Sequence, residues 1–210
     1  RTDPVGTWQF AYDTYNRRTV VTDPNLVLTE TAYDALGRVT SVIARGDSNT
    51  PADDRTTTYT YSLLGDLYCV KSPIDAGTEY LYDMAGRLTE VRRGTAVPTP
   101  TFNACLNVSA ANIAERQLWT LDKGGHRIHE RFERGTTVWT LEAETSYVYS
   151  SMCHLDQTIQ APGKPEEAVT EDAYDCAGNL ESVWDPMHPR ASLPAQPSSV
   201  YTYDALVSCI

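Results

Sequence analysis

The sequence predicts an all-β protein built from antiparallel β-hairpin repeats. Three observations lead to this prediction. A short unit recurs along the chain, aromatic side chains occupy alternate positions before its centre, and glycine follows the centre at a fixed distance. Residues 32–42 (AYDALGRVTSV) and 81–91 (LYDMAGRLTEV) show the unit most clearly. A repeat of this length determines the fold of the whole chain, so it is the first feature to establish.

The unit can be counted by taking the Asp of its Tyr-Asp pair as position zero. Eight copies are then found, with position zero at Asp13, Asp34, Ser62, Asp83, Asp122, Ser150, Asp175 and Asp204. The copies at Asp122 and Ser150 are degenerate. Consecutive copies are 21 to 39 residues apart. The unit is therefore constant, whereas the connections between units vary in length.

The residues before position zero predict a strand. Position −1 is Tyr in seven copies, and position −3 is aromatic in six: Phe10, Tyr59, Tyr80, Trp119, Tyr147 and Tyr201. Residues two apart lie on the same face of a strand, whereas a helix would repeat every three or four residues. Each copy should therefore place an aromatic pair on one face of a sheet, where packing is the more usual role than sugar binding.

Position zero and the residues after it predict a tight turn. Position zero is Asp or Ser, and position +3 is Gly in five copies (Gly37, Gly65, Gly86, Gly125, Gly178) and Asn16 in a sixth. This composition is typical of a type I turn followed by a residue with positive φ, a common hairpin connection. The turn aspartates therefore have a structural role. Arg at position +4 (Arg17, Arg38, Arg87) should lie near the turn Asp, where an exposed ion pair contributes little.

A second strand should follow each turn. Position +8 is Val in five copies: Val21, Val42, Val70, Val91 and Val183. Position +11 is Pro or Gly in four copies (Pro24, Pro73, Gly94, Pro186), and Gly46 and Pro162 arrive one residue later. Because Pro cannot donate to a sheet ladder, this position should end the strand. Eight such hairpins give up to about sixteen strands, and isolated hairpins are only marginally stable, so neighbours should pair.

Residues 1–210 are expected to form one repeat region with insertions at about 95–115 and 187–199. The first insertion contains Pro98 and Pro100 and then NVSAANIAER, which is compatible with a short helix. The second, MHPRASLPAQPSS, reads as a loop. The last copy has Val207 where Gly is expected, which suggests a truncation or a local frameshift.

Composition limits the partners. The net charge of −11 argues against nucleic-acid binding, which needs clustered Lys and Arg. No apolar run approaches the roughly 20 residues that span a bilayer. Five widely spaced cysteines without a CxxC pair exclude a zinc ribbon, and their odd number favours reduced, mostly buried thiols.

Several candidate sites are considered and set aside. His126 and His129, with Glu130 and Glu133, could suggest a metal site, but residues three apart on a strand face opposite sides. The acidic pairs Asp53-Asp54 and Glu166-Glu167 are more typical of a solvated surface than of glycoside chemistry. Gly124-Gly125 lacks the context of a phosphate loop, and no G-x-S-x-G motif occurs. No catalytic, cofactor-binding or metal-binding residue is therefore predicted, and no cofactor. The sequon at Asn107 has meaning only in a secretory pathway that glycosylates.

The repeat resembles a known family. Residues 33–40 (YDALGRVT), 82–89 (YDMAGRLT) and 174–180 (YDCAGNL) are similar to the Rhs/YD repeat, and the resemblance covers nearly the whole chain outside the two insertions. The family includes bacterial Rhs polymorphic toxins, TcC components of Tc toxins and, more distantly, teneurin YD shells. The resemblance implies an antiparallel sheet that forms part of a curved shell. Asp23-Pro24 and Asp185-Pro186 do not match the family's self-cleavage motif.

The resemblance implies a structural function. We expect a shell segment of an Rhs-type secreted toxin that encapsulates a C-terminal effector polypeptide, exported by a specialised bacterial secretion system. Its partners would be the passenger polypeptide or further repeats of the same shell, without nucleic acid and without a membrane-spanning segment. The alternative is an adhesion or carbohydrate-binding module, which predicts that Trp119, Trp139 or Trp184 is exposed to glycans. An enzyme would need clustered acids or an activated nucleophile, and we expect none.

Overall fold

The protein is all-β and antiparallel, as predicted. The computed structural model describes residues 6–46, 53–102, 104–107, 114–135, 138–187 and 196–203, and these contain sixteen strands and no α-helix. No helix in this part of the chain is long and apolar enough to cross a membrane. Two compact units are present, one formed by residues 1–81 and 91–114 and the other by residues 82–90 and 115–210.

The first unit contains hairpins in chain order. Its strands are β1 (Gln9–Tyr12), β2 (Arg18–Thr22), β3 (Leu28–Tyr33), β4 (Val39–Ala44), β5 (Arg55–Tyr61), β6 (Leu67–Lys71), most of β7 (Ala76–Tyr82), the C-terminal part of β8 (Leu88–Thr101) and β9 (Ala104–Leu106). Strands β1 to β7 are neighbours in sequence order, and β9 pairs with β8. In two hairpins the aromatic residue at position −3 lies opposite the Val at position +8, because Phe10 pairs with Val21 and Tyr59 with Val70.

The second unit repeats the arrangement. It contains most of β10 (Ala114–Leu121), then β11 (Arg127–Gly135), β12 (Trp139–Tyr149), β13 (Leu155–Gln160), β14 (Ala168–Tyr174), β15 (Leu180–Trp184) and β16 (Ser199–Val200). Strands β10 to β16 are again neighbours in sequence order. Residues 204–210, which carry the last copy and Val207, lie outside the described residues.

Strand ends follow the predicted proline positions in three copies. Strands β2, β6 and β15 stop just before Asp23-Pro24, Ser72-Pro73 and Asp185-Pro186. The prediction was wrong at Gly94, because β8 continues through it and through Pro98 and Pro100 to Thr101. A proline lacks only its N–H, so it is tolerated where that side of the strand has no ladder partner. The pairing of β8 with β9 is limited to Ala96 opposite Leu106 and Thr101 opposite Ala104.

The predicted helix in the first insertion is not confirmed. Residues 114–116, its C-terminal part, form the start of strand β10, and residues 108–113 lie outside the described residues. Strand pairing explains the difference, because a segment beside a sheet gains a full set of backbone hydrogen bonds as a strand. Most of the second insertion, residues 188–195, also lies outside the described residues.

The prediction of reduced thiols was wrong. Cys69 in β6 and Cys105 in β9 form a disulfide with a Cα–Cα distance of 5.6 Å, and Cys176 is also disulfide-bonded. Cys153 is a free thiol but is exposed rather than buried. The number and spacing of the cysteines could not reveal the pair, because its 36-residue separation is closed by β9 folding back towards β6.

Buried apolar side chains are few in the described residues. The main cluster, in the first unit, consists of Tyr68, Cys69 and Cys105, with Leu106 packed against it. In the second unit a buried carboxylate, Glu133, pairs with two arginines. Glu133, 3% exposed, contacts the guanidinium of Arg116 at 2.5 Å and that of Arg131 at 2.9 Å. A carboxylate this deeply buried is stable only when paired in this way.

Candidate functional site

The repeated turn is the most regular feature of the molecule. In the Asp34 copy, Oδ1 of Asp34 accepts the backbone N–H groups of Leu36 and Arg38, both at 2.9 Å. The N–H of Gly37 donates to the Asp34 carbonyl, and the Asp34 N–H donates to the Arg38 carbonyl. Position +3 has positive φ in all seven described copies: Asn16, Gly37, Gly65, Gly86, Gly125, Cys153 and Gly178. The predicted turn is confirmed, and Cys153 adopts the conformation without glycine.

The same turn also closes several connections between hairpins. The Asp23 N–H donates to the Val27 carbonyl, and Leu26 has φ of 66°. Asp75, after Ser72, has φ of 57°. The prolines at these positions were expected only to end strands. Pro after the first residue of a type I turn is the signal that indicates a turn there.

The side chain at position +4 binds the turn carboxylate. Nε of Arg17, Arg38 and Arg87 donates to Oδ2 of Asp13, Asp34 and Asp83 at 2.6, 2.7 and 2.7 Å. His126 and Asn179 take the equivalent place at 2.9 and 3.0 Å from Asp122 and Asp175. The side chains of the three arginine pairs are 21% to 38% exposed. The expected contact between the +4 arginine and the turn Asp is therefore present, and it is partly sheltered from solvent.

Electrostatics of the turn favour ionised aspartates. Backbone N–H donation from Arg17, Arg38 and Arg87 is the largest cause that lowers the pKa of Asp13, Asp34 and Asp83. The side chain of His126 is the main cause that lowers the pKa of Asp122. A carboxylate that accepts several hydrogen bonds is stabilised in its charged form. The turn aspartates thus serve as hydrogen-bond acceptors in the fold.

The +4 side chain also reaches the next hairpin, a contact that the sequence analysis missed. The guanidinium of Arg17 lies over the ring of Tyr33 at 4.7 Å, and that of Arg38 over Tyr61 at 4.4 Å. The imidazoles of His126 and His154 contact the rings of Tyr149 and Tyr174 at 5.1 and 4.7 Å between centroids. In each case the Tyr is at position −1 of the following copy. The recurrence of Tyr at position −1 and of Arg at position +4 in the repeat was the available signal.

A hydrogen bond completes this contact. The hydroxyl of the −1 Tyr donates to the backbone carbonyl at position +5 of the preceding copy. The four pairs are Tyr33 to Arg18 at 2.9 Å, Tyr61 to Val39 at 2.9 Å, Tyr149 to Arg127 at 3.1 Å and Tyr174 to Leu155 at 3.0 Å. We call the +4 side chain, the next −1 Tyr and this carbonyl the inter-hairpin clamp. The clamp explains why Tyr, rather than Phe, fills the −1 position.

In two places an arginine adds a further bond. Nη1 of Arg17 donates to the Asp34 carbonyl at 3.1 Å, and Nη1 of Arg87 donates to the Asp122 carbonyl at 3.0 Å. A single guanidinium thus hydrogen-bonds to both its own turn and the turn of the next hairpin. The Asp122 copy has Leu121 at position −1, so there the arginine bond to the turn carbonyl remains without a tyrosine hydroxyl.

The candidate metal ligands have separate partners. His126 contacts Asp122, whereas His129 Nε2 lies 2.7 Å from Oε1 of Glu144. Glu130 accepts a hydrogen bond from the Tyr147 hydroxyl at 3.0 Å, and Glu133 pairs with arginines. Among the described residues no group of three or more His, Cys, Asp or Glu is placed to hold a metal ion.

The acidic pairs set aside in the sequence also have structural partners. Asp54 pairs with Arg45, which is also bonded to Glu30 at 2.7 Å. Glu167 accepts the N–H of Gly163 at 2.5 Å. Gly124-Gly125 lies in the turn of the Asp122 copy, and residues 108 and 109 of the sequon lie outside the described residues.

Both units have a surface groove in their described residues. The groove in the first unit, about 480 Å³, is lined by threonines of β5, by Lys71 and by Pro98–Pro100. The groove in the second unit, about 450 Å³, contains Asp156 and Asp172. Burial and the neighbouring charge of Asp156 raise the pKa of Asp172. The two grooves have different polar linings, so they do not repeat with the hairpin.

The exposure of the tryptophans differs from what a carbohydrate-binding module predicts. Trp119, Trp139 and Trp184 are half-buried. The guanidiniums of Arg127 and Arg116 cover the rings of Trp119 and Trp139. Trp8 is the exposed tryptophan, at 58%.

Comparisons with known proteins support the fold. No protein-family model and no curated protein sequence matches the chain. The crystal structure of TcdB2-TccC3-Cdc42 aligns with 92% of this chain at a TM-score of 0.64 and 17% identity, over 9% of that chain. The crystal structure of TcdB2-TccC3 aligns with 90% at 0.64 and 18%, over 10% of its length.

A third structure, the Photorhabdus luminescens Tc holotoxin pore, aligns with 86% of this chain at a TM-score of 0.62 and 18% identity, over 9% of that chain. The chain therefore spans about a tenth of the length of the proteins it matches. At these identities the likeness concerns the fold. The chain has an antiparallel β-hairpin fold that is similar to part of these Tc toxin structures.

Proposed function

We propose that this chain is a wall segment of an Rhs-type shell in a secreted toxin, and that the shell encapsulates a C-terminal effector polypeptide. The inter-hairpin clamp is the observation that carries the proposal. It uses the polar side chains of the repeat to fasten one hairpin to the next. A chain whose repeated polar residues are committed to such contacts is suited to building a wall, and we propose no catalytic role for it.

The turn tips provide a second argument. In the first unit they carry Tyr15, Leu36, Leu63 and Leu64, whose exposed fractions are 79%, 78%, 92% and 88%. Apolar side chains that recur at exposed positions are typical of surfaces that another polypeptide covers. We propose that further repeats of the same shell cover these tips.

Disulfide bonding supports the proposed export. The Cys69–Cys105 bridge would persist in an oxidising compartment and is uncommon in proteins that remain in a reducing cytosol. A specialised bacterial secretion system remains our proposed route.

Protease protection in the complete gene product tests the encapsulation. We expect the polypeptide that follows the shell to resist a broad-specificity protease in the wild type. The double substitution Tyr33→Leu and Tyr61→Leu removes two hydroxyl bonds and two cation–ring contacts and should make that polypeptide cleavable. Lys164→Ala, at an exposed loop position, is the control and should preserve protection. Rapid cleavage of the following polypeptide in the wild type would contradict encapsulation.

A carbohydrate-binding module is the second candidate, and one observation favours it. Trp8, just before β1, and Phe10 and Tyr12 in β1 stand at alternate positions and are 58%, 48% and 55% exposed. Aromatic side chains on one strand face can form a platform for sugar rings. Calorimetric titration with a panel of oligosaccharides, comparing the wild type with Trp8→Ala, tests this candidate. Saturable binding that Trp8→Ala abolishes would favour it over the shell wall.

A further inference from the structure

Strand β9 with the following residue, Ala104–Asn107, forms a short strap over one face of β6 and β7. Cys69, Lys71, Gly77 and Glu79 share this face, because Cys69 pairs with Glu79 and Lys71 with Gly77. The strap joins the face through the Cys69–Cys105 disulfide and through Leu106. Cys69 is fully buried and Cys105 is 1% exposed, so the strap covers its own fastening.

Gly77 shows how closely the strap approaches the sheet. A Cβ atom added at Gly77 would lie 2.6 Å from Cδ2 of Leu106 and 3.0 Å from Cβ of Ala96. The absence of a side chain at position 77 is therefore what allows Leu106 to rest on the backbone of β7. The sheet face and the strap are matched in shape.

Besides the disulfide, backbone contacts with β8 hold the strap. It pairs with β8 at Ala96–Leu106 and Thr101–Ala104, and the Asn107 N–H donates to the Thr95 carbonyl at 2.8 Å. Just before it, the ring of Phe102 meets Tyr68 edge-on at 5.2 Å. A three-residue strand with so little pairing is marginal by itself, whereas a cross-link over 36 residues strongly limits its open states.

We propose that the Cys69–Cys105 disulfide is a redox-operated fastener for this strap. While oxidised, it holds Ala104–Asn107 against β6 and β7. A dithiol reductant supplies two electrons and two protons: the S–S bond breaks, Cys69 and Cys105 become thiols, and the reductant becomes a cyclic disulfide. The strap then leaves the sheet and uncovers Gly77 and Glu79, while the hairpins keep their pairing.

The fastener has a consequence for delivery, which rests on the proposed function. A toxin shell would meet oxidising conditions outside cells and a reducing cytosol inside them. The strap would be closed during export and open after entry. The face that it uncovers includes Glu79, which is 7% exposed and bonded to the hydroxyl of Tyr68 and to Arg92 at 3.2 Å.

Hydrogen exchange on the full chain tests the proposal in three states: the oxidised wild type, the wild type with dithiothreitol, and the double variant Cys69→Ala and Cys105→Ala. The alanine variant leaves Cys176 unchanged, and Cys153→Ser controls for the exposed free thiol. We expect protection of the Asn107 amide, which donates to the Thr95 carbonyl, to fall on the order of 100-fold or more in both unfastened states. The far-UV circular dichroism and the protection of hairpin β3–β4 should not change.

Reduction kinetics provide an independent readout. Because both sulfurs are buried, the reductant has to wait for the strap to open. The rate of reduction should therefore rise with dithiothreitol concentration and then level off at the opening rate. A rate that rises linearly throughout would overturn the buried fastener.

Two exchange outcomes would also overturn the proposal. Retained protection of the Asn107 amide in the alanine variant would mean that the strap stays closed without the disulfide. Loss of the β-sheet signal in that variant would make the disulfide a staple for the whole unit rather than a fastener for the strap. Neither outcome depends on a passenger polypeptide, so the strap and the encapsulation can fail separately.

Discussion

The two units build the same clamp with different side chains. In the first unit a guanidinium lies over the next tyrosine, 4.7 Å from Tyr33 and 4.4 Å from Tyr61. In the second unit an imidazole does so, 5.1 Å from Tyr149 and 4.7 Å from Tyr174. The hydroxyl bonds have nearly equal lengths in both units, between 2.9 and 3.1 Å.

This difference indicates which part of the clamp is essential. The tyrosine hydroxyl and the +5 carbonyl are present in both kinds, whereas the cation changes. The backbone turn sets the position of the carbonyl, and a flat side chain at +4 covers the ring. We infer that planarity and the hydroxyl bond stabilise the contact more than the permanent charge of arginine does.

Removal of the tyrosine ring should have the largest effect. Tyr61→Ala and Tyr174→Ala each lose a ring packed between hairpins and a hydroxyl bond, and we expect a loss of about 2–3 kcal/mol in the free energy of unfolding. Urea denaturation measures it. If the two kinds of clamp are equivalent, the two losses should agree within about 1 kcal/mol. Leu63→Ala, at an exposed turn tip, is the control and should change little.

The turn conformation should have the next largest effect. Gly37 has φ of 83°, so Gly37→Ala should cost about 1 kcal/mol, because a Cβ is unfavourable in the left-handed region. The reverse change, Cys153→Gly, relieves the same strain at φ of 64° and should stabilise the protein by about 0.5 kcal/mol. Thermal unfolding with a fixed scan rate compares both. A loss on Cys153→Gly would show that the thiol has a packing role.

Substitutions at position +4 distinguish the effect of a planar side chain from the effect of its charge. Arg38→Lys keeps the charge but loses the flat group over Tyr61, and we expect a loss of about 0.5–1 kcal/mol. His154→Phe keeps a flat ring over Tyr174 and should be nearly neutral. Chemical denaturation of both variants decides between the two explanations. A neutral Arg38→Lys together with a destabilised His154→Phe would favour charge over planarity.

The smallest effect is expected at the acidic groove beside the last histidine clamp. Burial and Asp156 raise the pKa of Asp172, so its ionised form destabilises the folded state above that pKa. Asp172→Asn should therefore add a few tenths of a kcal/mol at pH 7, a value reduced by solvent screening. The gain should fade as the pH falls and the wild-type carboxyl becomes protonated.

The pKa of Asp175, in the same hairpin, is shifted in the opposite direction to that of Asp172. The side chain of Asn179 is the main cause that lowers the pKa of Asp175, so its contribution to stability is present above the unfolded pKa and is lost as the pH falls through the folded pKa. Asp175→Asn should thus destabilise the protein at pH 7. Denaturation curves from pH 3 to 7 measure both variants, and a stabilised Asp175→Asn would contradict the assigned hydrogen bonds.

Local features were predictable wherever neighbouring residues determine them. Asp34 and Gly37 specify a turn by themselves, because the carboxylate accepts nearby N–H groups and glycine tolerates positive φ. Pro24 and Pro73 mark strand ends for a similar local reason. Gly94 was misread because glycine permits a strand end without requiring one, and the pairing available to β8 decided the matter.

Contacts between distant residues were not predictable in the same way. Arg17 was expected beside Asp13, but its place over Tyr33 depends on how two hairpins pair. Cys69 and Cys105 gave no sign of their bond, since nothing near either residue indicates the fold-back of β9.

The sequence by itself therefore determined the hairpin unit, its turn, its antiparallel all-β class and the resemblance to the Rhs/YD repeat. These depend on residues two to eight positions apart, whose geometry is fixed by backbone sterics and hydrogen bonding. The tertiary structure alone decided the inter-hairpin clamp, the disulfide-held strap and the ion-pair network at Glu133. These depend on strand register, because register determines which side chains from separate hairpins lie within contact distance.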